Sequence, residues 1–219
     1  VFYGAVLPSL YFWSLVGLDK IAEKWLSSSC RMALSHLLLT ALFLGAASLL
    51  PGGLKSWGVN LKNWRKSIFL GIILGIGFGV LFAGFNLGLK IGGWKLSYAL
   101  EQLKIRENLI QMVSQLFLVG LSEELYYRGI LLTSLASFFS KKIMGVHSAV
   151  MLVSLGFASV QFWKLIFGAS LGGILPLFVG ALLYGLVLGE VYLKTLSLLG
   201  PVLIHSLGNS LMFLSGLGV

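Results

Sequence analysis

Long apolar runs constrain this chain more than any other feature, because several of them approach the length that a helix needs to cross a bilayer. About 20 consecutive apolar residues span the hydrocarbon core as an α-helix. Of the 219 residues, 58% are hydrophobic and only 11% are charged. That is too little charge to cover the surface of a soluble domain of this size. The sequence therefore predicts a multi-pass integral membrane protein.

The predicted fold class is all-α, a polytopic transmembrane helical bundle with about seven membrane segments. The connectors between the apolar runs are too short to form a separate soluble domain, so residues 1–219 are predicted to be a single integral membrane domain. The apolar segments cover roughly residues 1–18, 32–50, 67–89, 109–132, 143–163, 170–189 and 195–219.

The basic residues lie between the apolar runs and give the chain a formal net charge of +9. Lysine and arginine at the ends of membrane segments interact with lipid headgroups and anchor loops. We therefore expect membrane lipid as a partner and do not expect nucleic acid.

Glycines recur at intervals of four residues in the third apolar segment. Gly71, Gly75 and Gly79 form one series, and Gly84 and Gly88 form another. Small residues at this spacing allow the backbones of two membrane helices to approach closely. This series predicts tight packing of the third segment against another helix, the alternative being gating by a flexible helix.

Two adjacent glutamates interrupt the fourth apolar segment, in the stretch "LVGLSEELYYRGILL". A carboxylate in a lipid-buried helix costs roughly 2.5–3.5 kcal/mol on insertion scales, so such residues usually face a functional interior. Glu124 and Arg128 are one helical turn apart and can pair. Glu123 projects about 100° away from Glu124. We therefore predict that Glu124 is a structural partner of Arg128 and that Glu123 is a base, the alternative being a packing ion pair without chemistry.

Further polar side chains occupy the fifth and seventh segments. His205 and Asn209 are one turn apart, and an imidazole and an amide on one face can donate hydrogen bonds to an oxyanion. Phe157 and Gln161 share a face of the fifth segment. An isolated glutamine in a membrane helix more often holds helices together by hydrogen bonding.

The histidines do not suggest a metal site. A catalytic zinc ion usually has three protein ligands, and the chain has only three histidines, His36, His147 and His205, with no His-x-x-x-His pair. A tight zinc site and other cofactors are therefore not expected. The sequence suggests no partner for His36, which lies within the second apolar segment.

Two motifs resemble those of the CPBP family of intramembrane proteases, which includes CAAX prenyl endopeptidases and bacteriocin-processing or immunity proteins. The first family motif, Glu-Glu-x-x-x-Arg, is matched by Glu123, Glu124 and Arg128. The third motif, His-x-x-x-Asn, is matched by His205 and Asn209. The resemblance covers a core of about residues 67–219, and it rests on the order and spacing of the motifs.

The resemblance implies a role for each matched residue. Glu123 would activate a water molecule for attack on a peptide carbonyl, with Glu124 and Arg128 as its support. His205 and Asn209 would stabilise the resulting oxyanion.

The second family motif, Phe-x-x-x-His, is matched only in part, because Phe157 is present but Gln161 stands at the position of the histidine. In the family this histidine acts together with the first glutamate. An amide can orient water, but it cannot accept and return a proton near neutral pH. Loss of one acid–base partner is expected to slow turnover greatly.

Two functions follow from this comparison. The first is a glutamate-dependent intramembrane endopeptidase with impaired or absent protease activity, acting on a peptide or a membrane-protein segment. The alternative is a non-catalytic scaffold or accessory subunit, in which the same residues form a buried polar network and grip a partner subunit. A transporter is less favoured, because the sequence shows no internal repeat and no pair of broken helices.

Overall fold

The described residues are almost entirely helical, which confirms the predicted all-α class. The computed structural model describes residues 26–49, 51–91, 105–162 and 171–214. In chain order the elements are α1 (Ser28–Leu49), α2 (Gly53–Ser56), α3 (Trp64–Ile91), α4 (Ile105–Ser114), the π-helix π1 (Gln115–Val119), α5 (Gly120–Glu124), the π-helix π2 (Leu125–Leu132), α6 (Thr133–Ala136), β1 (Lys142–Ile143), β2 (Val146–His147), α7 (Ser148–Ser159), α8 (Leu171–Thr195) and α9 (Leu199–Met212).

Three helices among the described residues are long and apolar enough to cross a membrane. They are α1, the Trp64–Gly84 part of α3, and α8, and a shorter apolar helix covers Ser148–Phe162. All three long helices expose large apolar side chains outward, as lipid-facing helices do. The predicted segment at residues 1–18 lies outside the described residues, so the total of about seven segments stays a prediction.

A tight hairpin precedes α7 and corrects the predicted start of the fifth segment at residue 143. Strands β1 and β2 pair antiparallel, with Lys142 opposite His147. The two residues between the strands, Met144 and Gly145, have φ angles of 51° and 83°. Positive φ at both central positions is the geometry of a two-residue type I′ turn. Helix α7 therefore begins only at Ser148.

Helix α8 extends past the predicted end of the sixth segment at residue 189. It continues to Thr195, so Glu190 lies within a helix rather than in a connector. The carboxylate of Glu190 accepts a hydrogen bond of 3.2 Å from the backbone N–H of His147. This bond ties the start of α7 to α8.

The packing of α3 against α9 confirms the prediction from the first glycine series. A Cβ atom added at Gly71, Gly75 or Gly79 would lie within 3.0 Å of a leucine side chain on α9. At Gly75 it would also lie 3.1 Å from the carbonyl oxygen of Leu203 and 3.2 Å from Cα of Ile204. The two backbones are therefore in contact, which only glycine permits at this distance.

The second glycine series has no such support. A Cβ atom at Gly84 would meet nothing within 4 Å. Gly88 lies beyond residue 84 in α3, where side-chain surroundings are outside the described part of the chain.

Replacing Gly75 with alanine should destabilise the protein, whereas the same change at Gly77 should not. The added methyl group at Gly75 would force α3 and α9 apart, and overpacking of this kind typically costs 1–3 kcal/mol. Gly77 has open space around its Cβ position, and alanine there is favoured in a helix by about 1 kcal/mol. Thermal unfolding in detergent would compare the two variants, and equal melting temperatures would contradict the packing.

Candidate active site

The two glutamates lie at the centre of a long helical stretch that is irregular on both sides. Helix α5 carries Glu123 and Glu124, and the π-helices π1 and π2 flank it directly. A π-helical turn adds a residue to the turn and changes the direction of the following side chains, and such turns are frequent at functional sites. At Gly120 an added Cβ would lie 3.2 Å from the backbone nitrogen of Ser206 on α9. The missing side chain therefore lets α9 approach α5.

Glu124 links two basic side chains through one oxygen atom. Its Oε1 accepts a hydrogen bond of 2.8 Å from Nη1 of Arg128 and makes a contact of 2.7 Å with Nδ1 of His205. Glu124 and Arg128 are completely buried. The predicted pairing of these two residues is confirmed. The contact with His205 was not predicted.

Arg128 is satisfied on several sides. Its Nη2 donates a hydrogen bond of 3.2 Å to the carbonyl oxygen of Gly185 on α8. Its guanidinium carbon lies 4.9 Å from the centre of the Phe157 ring and 5.8 Å from that of Tyr127. A guanidinium over an aromatic face is stabilised by the ring quadrupole, more so where water is excluded. Arg128 thus joins π2, α7 and α8 around the site.

His205 is held in a defined orientation. A carboxylate oxygen can only accept a hydrogen bond, so Nδ1 of His205 carries the hydrogen in its contact with Glu124. The rings of Phe157 and Tyr184 pack edge-on against the imidazole, with centroids 5.9 Å and 5.7 Å away. The second ring nitrogen, Nε2, then faces Glu123, with 3.8 Å between Nε2 and Oε2.

The two glutamates differ in access. The side chain of Glu123 is 20% exposed, whereas that of Glu124 is fully buried. Glu124 contacts two basic partners, Arg128 and His205, whereas the Glu123 carboxylate makes no hydrogen bond to a described residue. A carboxylate that is accessible and close to an imidazole can exchange protons with a bound molecule.

Asn209 lies one turn after His205 and pairs with a residue that the motifs do not contain. Its Nδ2 donates a hydrogen bond of 3.1 Å to Oε1 of Gln115 in π1. Gln115 in turn donates to the sulfur of Met32 at 3.8 Å. The second N–H of the Asn209 amide makes no hydrogen bond to any described residue. The signal that could have identified Gln115 is an amide within the apolar run that leads to Glu123, although Gln111 in the same run gives the same signal.

No hydrogen bond or ring contact among the described residues connects Gln161 to the other predicted site residues. It lies in a short 3₁₀ turn after α7, half-buried, and it makes no hydrogen bond to a described residue. Phe157, one turn earlier, does contact His205 and Arg128. A catalytic role for Gln161 stays a prediction.

His36 and Ser122 were also missed by the motifs. Nδ1 of His36 on α1 lies 2.7 Å from Oγ of Ser122, and both side chains are buried. In the described part of the chain, no three histidine, cysteine or acidic side chains are arranged to hold a metal ion.

These features define an integral membrane protein with a buried carboxylate–imidazole site between its helices. Residues 105–211 match the family model for "Type II CAAX prenyl endopeptidase Rce1-like" proteins. Over these residues the chain is similar to this family of membrane proteins. The matched region contains all six predicted site residues, but it does not include His36. No curated protein sequence and no solved structure matches the chain.

Proposed function

We propose that the protein is a multi-pass, glutamate-dependent intramembrane endopeptidase. The observation that carries this proposal is the difference between the two glutamates. Glu124 is buried and holds Arg128 and His205 through one oxygen. Glu123 is accessible and lies 3.8 Å from Nε2 of His205, and among the described residues it makes no ion pair with arginine or lysine. An arrangement for packing alone would need only one of the two carboxylates.

The reaction follows from these positions. Glu123 takes a proton from a water molecule, and the water oxygen bonds to the carbonyl carbon of the substrate. The donors proposed for the oxyanion are the second N–H of the Asn209 amide and, when the imidazole carries both protons, Nε2 of His205, and each such donor is worth about 10²–10³-fold in rate. The C–N bond then breaks, and the nitrogen takes the proton that Glu123 removed. The second proton of the water stays with the new carboxyl group.

The substrate of this reaction is a peptide segment that reaches the site from the membrane. Helices α1, α3 and α8 expose large apolar side chains, and we expect these faces to contact lipid, so a substrate carried by a lipid anchor or a transmembrane segment could approach in the plane of the bilayer. The family model that matches the chain is named for CAAX prenyl endopeptidases, which favours a peptide with a lipid-modified C-terminus. No cofactor is required by the proposed steps.

Gln161 supports a second candidate function, a non-catalytic scaffold or accessory subunit. The amide stands where the family motif has an imidazole, and it makes no hydrogen bond to a described residue. With Glu123, His205 and Asn209 as the only active groups, turnover would be impaired by about 10²–10⁴-fold. The buried network of Glu124 would then serve to hold helices in register.

The two functions are separated by an isotope experiment. The purified protein, reconstituted in lipid vesicles, would be incubated in water labelled with oxygen-18 together with transmembrane peptides and peptides bearing a prenylated C-terminus. Hydrolysis places the heavy oxygen in the new carboxyl terminus of the product, which mass spectrometry detects. Labelled product is expected. Intact peptides in both groups would contradict the endopeptidase and favour the scaffold.

A further inference from the structure

His36 comes from a part of the chain that the motifs do not cover, yet it lies against the site. Helix α1 packs against the stretch formed by α4, π1, α5 and π2. This packing places His36 beside Ser122, the residue directly before Glu123. The His36 side chain is buried, and His205 on α9 contacts the carboxylates of Glu123 and Glu124 on the same helix that carries Ser122. The two imidazoles and the accessible carboxylate therefore belong to one site.

The hydrogen bonds of Ser122 determine which nitrogen of His36 is free. The Ser122 hydroxyl donates its only hydrogen to the carbonyl oxygen of Val119, at 3.1 Å. The tautomer that satisfies both contacts of Ser122 at once has the hydrogen on Nδ1 of His36, which the Ser122 oxygen accepts at 2.7 Å. In this tautomer Nε2 has a lone pair, and it makes no hydrogen bond to any described residue. An oriented imidazole with an unprotonated nitrogen is the form that accepts a proton.

We propose that His36 is the second proton-transfer residue of this site, supplying from α1 the imidazole that is absent at Gln161. This inference rests on the proposed endopeptidase function. After Glu123 has taken a proton from the attacking water, Nε2 of His36 receives that proton and becomes an imidazolium. The imidazolium gives the proton to the nitrogen of the breaking C–N bond, and both side chains return to their starting states. Ser122 is a positioning residue, because it acts only by holding the imidazole.

The decisive variant is His36→Asn in the oxygen-18 cleavage assay. The asparagine Nδ2 can take the place of the imidazole Nδ1 and keep the hydrogen bond to Ser122, while the atom equivalent to Nε2 is lost. We expect kcat to fall by about 10²–10⁴-fold, with KM and the melting temperature close to those of the native protein. A purely structural histidine would change the melting temperature and leave kcat of the folded protein unchanged.

Two further variants complete this experiment. His147→Asn is the matched control, because His147 lies at the start of α7 outside the site, and it should leave kcat unchanged. Ser122→Ala should lower kcat by a smaller factor than His36→Asn, since the imidazole stays but is no longer held. Cleavage by His36→Asn within about threefold of the native rate would overturn the role of His36 alone. A native protein that yields no labelled product would instead contradict the endopeptidase itself.

Discussion

Glu123→Gln should abolish measurable peptide cleavage while leaving the protein folded. The glutamine keeps the size of the side chain and can still orient a water molecule, but its amide cannot accept the proton that the reaction removes. Loss of a general base typically lowers the reaction rate by 10²–10⁴-fold, and we expect the fall in kcat to lie near the upper end of this range. Glu123 is the only accessible carboxylate beside His205 among the described residues. The rate of labelled carboxyl formation in the oxygen-18 assay measures this loss.

The stability of Glu123→Gln should remain close to that of the native protein. No buried cation depends on Glu123 in the way that Arg128 depends on Glu124, because the nearest nitrogen of His205 is 3.8 Å away. Glu190→Gln is the matched control: it removes a charge from α8 but can still accept the hydrogen bond from His147. It should cleave at the native rate. Retention of more than about a tenth of the activity by Glu123→Gln would rule out Glu123 as the base.

Local spacing was sufficient to predict the contacts that lie on one helix or one helix face. Glu124 and Arg128 are one turn apart, and they pair as predicted. The interval of four residues between Gly71, Gly75 and Gly79 predicted a close helix contact, and α9 provides it. Both predictions needed only the helical period and the apolar character of the surrounding residues.

Contacts between distant parts of the chain could not be predicted in this way. His36 and Ser122 are 86 residues apart, and nothing in their local sequences relates them. The partner of Glu124 on α9 was missed for the same reason. The resemblance assigned Glu124 to the support of Glu123, and this role stays a prediction; the contact of Glu124 with His205 was the part that the sequence did not suggest. The π-helices around α5 also change side-chain directions in a manner that a regular helical period does not describe.

Arg128→Met should destabilise the protein strongly. Methionine is also a long, unbranched side chain but carries no charge, so the variant mainly removes the charge that lies against Glu124. Removing one member of a buried ion pair typically costs 3–5 kcal/mol, because the remaining charge is left without compensation. The hydrogen bond from Arg128 to the carbonyl oxygen of Gly185 is lost as well. We expect a large fall in the free energy of unfolding, measured by denaturant titration in detergent.

The double variant Arg128→Met/Glu124→Gln separates charge from packing. With both charges removed, no ion remains uncompensated, and the glutamine oxygen can still accept the hydrogen bond from Nδ1 of His205. Replacement of a buried ion pair by neutral groups of similar volume is often close to neutral in stability. The double variant should therefore recover most of the stability that Arg128→Met loses. If both variants were equally unstable, the lost stability would come from the contacts of Arg128 with Gly185 and Phe157. The ion pair between Arg128 and Glu124 would then not be the interaction that stabilises π2.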